Sequence, residues 1–164
     1  MIAIAATIIF AAMIGEAMLA ARNERALRSA GAFEPPDDVY RVMQIAYPAC
    51  FLVMLIEGAA RSIEPGSRWW IGAAVFAAGK IVKYWAIAAL GPRWTFRVLV
   101  PRDGERIRRG PYRWLAHPNY LGVVGELLGA AIAASAWIAG PIAVAGFSLL
   151  MLRRISVEER ALAR

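Results

Sequence analysis

The chain has 164 residues, of which 60% are hydrophobic, and a formal net charge of +7. Its apolar content exceeds that of ordinary soluble domains, so we expect a membrane protein whose basic residues face a membrane surface and not a nucleic acid. A single cysteine, Cys50, and a single histidine, His117, exclude an internal disulfide and argue against a metal site built by the protein alone.

Five apolar stretches predict five membrane-spanning helices. The first four cover residues 2–21, 39–60, 69–90 and 118–135, and Pro141 opens the fifth. Each of the first four is close to the roughly 20 residues that a helix needs to cross a bilayer, and proline suits the first turn of a helix. We therefore predict an all-α integral membrane protein with a final helical hairpin, and treat residues 1–164 as a single domain.

The arginines indicate the orientation of these helices. They concentrate in the first loop, in the long loop 91–116 and at the C-terminus. Five spans place these three segments on one side of the membrane, which the positive-inside rule makes cytoplasmic. We thus predict an N-terminus outside and a C-terminus in the cytoplasm, with loop 91–116 folded over a site as a lid.

The length of the final hairpin predicts which residues meet. With its tip at Ile138, His117 and Glu158 each lie about 20 residues from the tip, or roughly 30 Å along a helix. This distance is about one hydrocarbon thickness, so both residues should lie at the same depth on the cytoplasmic side. Arg153 and Arg154 should lie there too, where ionisable side chains usually face a bundle interior or a wet cavity.

Two motifs in this region resemble a known family. Residues 110–122 read GPYRWLAHPNYLG and residues 154–162 read RISVEERAL. Together they resemble the isoprenylcysteine carboxyl methyltransferase family, which with the related phospholipid methyltransferases comprises membrane enzymes that use S-adenosylmethionine. The resemblance covers roughly residues 83–162, and the pair of motifs is more specific than either motif alone.

A further resemblance points to one bacterial branch. The segments KYW at 83–85 and GPRWTFRVLV at 91–100 are similar to small membrane methyltransferases associated with type III polyketide synthases. That branch implies O-methylation of long-chain alkylpyrones or alkylresorcinols in the bacterial cytoplasmic membrane. Ala116 stands where the wider family usually has arginine before His-Pro, which weakens a prenylcysteine substrate more than it weakens methyl transfer.

The resemblance implies S-adenosylmethionine as the cofactor and a cofactor-binding part at about 83–162. The cofactor-binding residues that it implies are Tyr112, His117, Pro118, Asn119, Tyr120, Gly122, Arg154, Glu158 and Glu159. Glu158 and Glu159 would bind the ammonium group or the ribose hydroxyls, and Arg154 with the start of the fourth helix would hold the carboxylate. Gly122 would let the adenine approach the backbone. His117 and Arg154 are the expected catalytic residues.

Some roles remain open at this stage. His117 is a helix cap, a hydrogen-bond partner of the cofactor, or a base with an unperturbed pKa of about 6.5. Arg97, Arg113 and Glu126 are candidates for binding the acceptor. Glu126 is equally consistent with a structural ion pair to a lysine of the third helix, because an ionisable residue inside a membrane needs a partner or a function.

The predicted function is methyl transfer to a lipophilic acceptor that enters from the bilayer, first of all O-methylation of a long-chain phenol or pyrone. Methyl-ester formation on a prenylated or fatty carboxylate and N-methylation of a phospholipid amine are alternatives with the same chemistry. A non-catalytic membrane adaptor or a transporter subunit is an alternative from a different class.

Overall fold

The structure is a computed structural model that describes residues 2–61, 66–101 and 107–162. Within these ranges it is all-helical, and the predicted final hairpin is present. The five α-helices, in chain order, are α1 (Ile2–Ser29), α2 (Tyr40–Ala60), α3 (Ser67–Leu90), α4 (Pro118–Ala133) and α5 (Ala139–Leu162). Two short 3₁₀ turns, Gly91–Arg93 and Gly110–Arg113, lie between α3 and α4.

Four helices, namely α1, α2, α3 and α5, are long and apolar enough to cross a membrane, which makes this an integral membrane protein. Helix α4 has only 16 residues and is therefore about 24 Å long, less than the roughly 30 Å of a hydrocarbon core. The prediction of five helices is confirmed, whereas only four meet the length expected of a span. Helix α4 ends before the predicted Ser135 because that residue has a left-handed φ of 47°.

Long-range contacts bring three parts of the chain together at one end of the bundle. The Asn23 amide donates to the Trp94 carbonyl at 2.8 Å, and the Val98 N–H donates to Asp38 at 2.9 Å. Arg160 of α5 pairs with Asp37 at 2.7 Å. We call this the polar end; it comprises residues 22–41, 91–101, 107–116 and 153–160. The predicted grouping of the three arginine-rich segments is confirmed, and their cytoplasmic orientation stays a prediction.

Helices α3 and α4 pack with their backbones in close contact. A Cβ atom added to Gly129 would lie 2.3 Å from the Phe76 nitrogen, and one added to Gly72 would lie 2.3 Å from the Ala133 nitrogen. Small residues allow such close approach between membrane helices. We call the contributing residues the glycine seam: Gly72, Gly79, Gly122, Gly125 and Gly129.

The opposite end of the bundle is fixed by Glu57. Its carboxylate accepts hydrogen bonds from the backbone N–H groups of Ile138 at 3.2 Å and Ala139 at 2.7 Å, where α5 begins. A carboxylate at a helix start satisfies unpaired N–H groups and complements the helix dipole. Glu57 therefore ties the end of α2 to the start of α5 and lies far from the polar end.

Candidate functional site

A cavity of about 680 Å³ lies between all five helices and residues 93–100. This volume falls within the range of about 300–1,000 Å³ that is usual for small-molecule sites. At the polar end its wall contains Tyr112, His117, Asn119, Tyr120, Arg154 and Glu158. Deeper in the bundle its wall is largely apolar and includes Phe10, Met13, Ala17, Met43, Phe147 and Met151.

Part of the predicted lid forms one wall of this cavity. Residues 93–100 line it, and the side chains of Trp94, Val98 and Leu99 are buried. Residues 102–106 of the predicted lid lie outside the described residues. The described part of the segment therefore closes the cavity on one side.

Arg154 links α5 to α4 and to the segment just before α2 at the polar end. It is only 7% exposed, its Nε donates to the Tyr120 hydroxyl at 2.9 Å, and its Nη1 lies 3.5 Å from an Asp38 carboxylate oxygen. Asp38 also accepts from the Tyr40 N–H at 3.1 Å, at the start of α2. Asp38 is not among the predicted site residues, although an acidic residue just before an apolar helical stretch is a recognised helix-start signal.

The two family motifs meet as the hairpin length predicts. The Tyr120 hydroxyl lies 3.2 Å from Glu158 Oε2, and His117 Nε2 lies 3.3 Å from Glu159 Oε1. The His117 ring stacks on Tyr120 with 5.5 Å between centroids. His117 occupies the N-cap position of α4, but its side chain makes no capping hydrogen bond, so the geometry does not support the cap interpretation.

Asn119 supplies an unsatisfied acceptor on the cavity wall. Its Oδ1 is buried and has no hydrogen-bond partner among the residues that the structure describes. Because an unpaired buried polar atom is costly, this oxygen fits a donor group from a bound molecule. Tyr112 lines the same cavity, and its phenol can donate a hydrogen bond to a bound molecule. Burial, reinforced by the negative charge of Glu158, raises the pKa of Tyr112 and keeps the phenol neutral.

Arg97 reaches the cavity with its charge already paired. Its guanidinium contacts Glu34 at 2.7 Å and Glu24 at 3.5 Å, and lies 4.3 Å from the centre of the Tyr40 ring. Burial tends to raise the pKa of Glu34, but hydrogen bonds from Arg97 and Arg28 outweigh it and leave this pKa lowered. Glu34 therefore stays ionised and holds Arg97 against the cavity wall.

Five expected site residues lie outside the cavity wall, namely Gly122, Pro118, Arg113, Glu159 and Glu126. Gly122 belongs to the glycine seam, where an added Cβ would lie 2.8 Å from the Lys83 Cβ, so its contact is with α3. Pro118 is buried in the first turn of α4. Arg113 is exposed beside Trp114, with 5.9 Å between its guanidinium and the ring centre. Glu159 does not line the cavity, but its Oε1 lies 3.3 Å from Nε2 of His117, which does.

Glu126, the remaining candidate, belongs to a group of four charged side chains inside the bundle. We call Glu16, Lys80, Lys83 and Glu126 the ion cluster. Each lysine contacts both carboxylates: Glu16 lies 2.6 Å from both ammonium groups, and Glu126 lies 3.2 Å from Lys80 and 3.3 Å from Lys83. The ion pair expected for Glu126 thus involves both lysines. Glu16 is not among the residues predicted to pair with Glu126.

Only part of the ion cluster lines the cavity. Glu16, Lys83 and the neighbouring Tyr47 line the cavity, whereas Lys80 and Glu126 do not. The Tyr47 hydroxyl donates to Glu126 and accepts from Lys83 at 3.3 Å. We call Glu16, Tyr47 and Lys83 the cavity floor.

Comparison with known proteins identifies the family. The model of the isoprenylcysteine carboxyl methyltransferase (ICMT) family matches residues 70–164. The uncharacterized protein YpbQ of Bacillus subtilis is 32% identical over 148 residues, covering 90% of this chain and 88% of that protein. An uncharacterized protein of Haemophilus influenzae is 25% identical over 142 residues, covering 86% and 83% respectively. No solved structure matches the chain. The matched region contains the polar-end residues of α4 and α5, and the chain belongs to the isoprenylcysteine carboxyl methyltransferase family.

Proposed function

We propose that the protein transfers a methyl group from S-adenosylmethionine to a lipophilic acceptor held in the cavity. The observation that carries this proposal is the composition of the cavity wall. Its polar end is built from both family motifs, and apart from the cavity floor its deeper part is lined largely by apolar side chains of α1, α2 and α5. One continuous cavity therefore offers polar side chains to the methyl donor and apolar side chains to a lipid-like acceptor.

The residues at the polar end fit the groups of S-adenosylmethionine. When bound, this cofactor supplies an electrophilic methyl group on a positively charged sulfur. Glu158 and Glu159 would hold its ammonium group or ribose hydroxyls, and Arg154 with the start of α4 would hold its carboxylate. The buried, unpartnered oxygen of Asn119 supports this fit, since the cofactor carries several hydrogen-bond donors.

The protein's own contribution is positioning and exclusion of water. Arg154 fixes the Tyr120 hydroxyl, and Tyr120 stacks against His117. The buried side chains of Trp94, Val98 and Leu99 close the wall contributed by residues 93–100. Holding two reactants in one orientation lowers the barrier to their reaction, and a dry site prevents loss of the methyl group to water.

For the acceptor, we propose a long-chain polyketide phenol or pyrone. The segments that resemble the polyketide-associated branch include Lys83 and residues 91–100, and both contribute to the cavity wall. The part of the chain that carries the finer resemblance therefore lies where an acceptor would bind. We place this reaction in the bacterial cytoplasmic membrane, with the polar end and the C-terminus in the cytoplasm.

The test uses purified protein, methyl-labelled S-adenosylmethionine and two acceptors, a long-chain alkylresorcinol and a prenylcysteine. We expect base-stable label in the resorcinol lipid, as an ether retains its methyl group under mild alkali. Volatile methanol released from the prenylcysteine would assign the protein to carboxyl methylation instead. Label in neither acceptor, together with no cofactor binding in a titration, would contradict methyl transfer and favour an adaptor or transporter subunit.

Replacing His117 and Glu159 one at a time separates their roles. Because their side chains lie 3.3 Å apart at the polar end, both His117→Ala and Glu159→Gln are expected to weaken cofactor binding by roughly 10-fold, the loss of about one hydrogen bond. The measurement is a titration of each variant with S-adenosylmethionine beside a turnover assay. If His117→Ala loses turnover at normal cofactor affinity, His117 acts on the acceptor instead.

A further inference from the structure

A second cavity, of about 460 Å³, lies at the polar end and shares Tyr112 with the first cavity. We call it the arginine cleft, and it is lined by Arg108, Tyr112, Arg113, Trp114, Leu115 and Ala116. All of these residues except Tyr112 are exposed. The proposed function makes no use of the cleft, because Tyr112 is the one lining residue that also faces the first cavity.

The three described arginines near the cleft differ in what they contact. The Arg109 Nε donates to the Ala89 carbonyl at 2.7 Å. A carbonyl in the last turn of a helix has no partner within that helix, so this bond gives Arg109 a structural role at the end of α3. Arg108 and Arg113 have no comparable role, since neither pairs with a carboxylate among the residues that the structure describes. Their two guanidinium groups are available to a bound anion.

The chemistry of the lining favours a phosphate group. The two arginines bring two positive charges, and no acidic side chain lies among the described residues that line the cleft. A guanidinium holds two phosphate oxygens through a pair of N–H groups, which makes arginine a preferred residue for binding phosphate. Basic pockets at the ends of membrane helices bind anionic lipid headgroups for the same reason.

The position of the cleft favours a lipid phosphate over a free one. A Cβ atom added to Gly110 would lie 2.8 Å from the Ala89 Cβ and 3.4 Å from the Trp85 Nε1. The segment that carries the cleft therefore packs against the last turns of α3, one of the four helices long and apolar enough to cross a membrane. Lipid headgroups lie just outside the hydrocarbon core, at the level where such a helix ends.

Apolar side chains beside the arginines suit the remainder of a lipid. Trp114 is 68% exposed and Leu115 is 43% exposed. The Trp114 ring lies 5.9 Å from the ring of Trp85, which is also exposed on α3. Tryptophan is enriched at the membrane–water interface, because its ring is apolar and its N–H is polar. The cleft thus offers arginines to a phosphate and an aromatic pair to the adjoining acyl chain.

We propose that the arginine cleft binds the phosphate of an anionic phospholipid, which Arg108 and Arg113 hold while Trp114 contacts the acyl chain. Zwitterionic lipids fit less well, because their ammonium group would lie beside two guanidinium groups without a carboxylate to receive it. Arg113, which does not line the first cavity, is thereby given a ligand of a different class. This site is separate from the proposed methyl-transfer site and does not depend on the proposed function.

The first test follows thermal unfolding of the purified protein in neutral detergent. The probes are phosphatidylglycerol, phosphatidylcholine with the same acyl chains, and inorganic phosphate. A ligand that binds the folded state raises the unfolding temperature as its concentration increases. We expect phosphatidylglycerol to act at a concentration about 10-fold or more below that of phosphatidylcholine, the value of hydrogen bonds between charged groups. An equal effect of the two lipids, or of inorganic phosphate and phosphatidylglycerol, would overturn the inference.

The second test uses two double variants that remove the same charge. Arg108→Gln with Arg113→Gln changes the cleft, whereas Arg41→Gln with Arg153→Gln changes two exposed arginines of the polar end that line neither cavity. We expect the preference for phosphatidylglycerol to disappear in the first double variant and to persist in the second. An equal loss in both would reduce the effect to a general attraction between basic residues and anionic lipid, and would contradict a defined site.

Native mass spectrometry of the wild type counts the bound lipids without relying on any variant. We expect a single phosphatidylglycerol to stay on each chain under conditions that remove phosphatidylcholine, because the cleft has room between its arginines for one headgroup. Retention of neither lipid, or equal retention of both, would contradict the proposal. These measurements involve no S-adenosylmethionine, so a negative result here leaves the proposed function intact, and a failed methyl-transfer assay leaves the lipid site intact.

Discussion

Arg154→Lys is expected to weaken S-adenosylmethionine binding by roughly 10- to 100-fold, the value of a lost hydrogen bond to a charged group. Arg154 contacts both the Tyr120 hydroxyl and Asp38 through different nitrogens of one planar group. A lysine ammonium is a compact point charge and does not reproduce that geometry. Tyr120 and Asp38 would then lose their shared partner at the polar end. The measurement is an equilibrium titration of the purified protein with the cofactor.

The neighbouring residue provides the control. Arg153 precedes Arg154 on the same helix turn but is exposed, whereas Arg154 is buried. Arg153→Lys should therefore bind the cofactor like the wild type. An equal loss in both variants would point to a general effect of charge at the end of α5, and no loss in either would remove Arg154 from the site.

Gly129→Leu is expected to have the largest effect on stability. Its new side chain would begin 2.3 Å from the Phe76 nitrogen and 2.7 Å from the Gly72 carbonyl oxygen, and backbone atoms have little freedom to move aside. Overpacking usually costs about 1–3 kcal/mol and sometimes more. Glu126 lies one turn away on α4, so separating the helices would also open the ion cluster. Thermal unfolding in detergent measures the loss.

Gly146 is the matched control for this substitution. It lies in α5, and no heavy atom comes within 4 Å of a Cβ added there. Gly146→Leu should therefore unfold at nearly the wild-type temperature, since its side chain would extend into open space. If Gly129→Leu proved as stable as Gly146→Leu, the close packing of the glycine seam would be wrong.

Much of the fold was predictable because the hydropathy and the length of each segment can be read directly along the sequence. The apolar stretches located all five helices, and the length of the final hairpin brought His117 and Glu158 to the same level. The early end of α4 was not predictable, because it depends on the left-handed backbone of Ser135. The residue type of a serine does not predict that conformation.

The composition of the site was harder to predict for a physical reason. Residues 110–122 and 154–162 can be recognised from their motifs. The rotation of each helix about its axis, which decides which side chains face the cavity, is set by packing and cannot. That rotation puts Gly122 against α3 and points Glu16 toward Lys83 from two helices away. Asp38 escaped detection because its partner Arg154 lies more than 100 positions later in the chain.

The ion cluster also constrains how the chain enters the membrane during biosynthesis. A lysine near the middle of a membrane helix opposes insertion by about 2.5–3.5 kcal/mol, and α3 carries two. One neutralising carboxylate, Glu16, arrives earlier on α1, whereas Glu126 follows later on α4. We therefore expect helix α1 to stay beside the insertion site until α3 enters, and the lysines to gain their second carboxylate only when α4 arrives. The order of the helices in the chain thus also sets the order in which the charged residues of the ion cluster can pair.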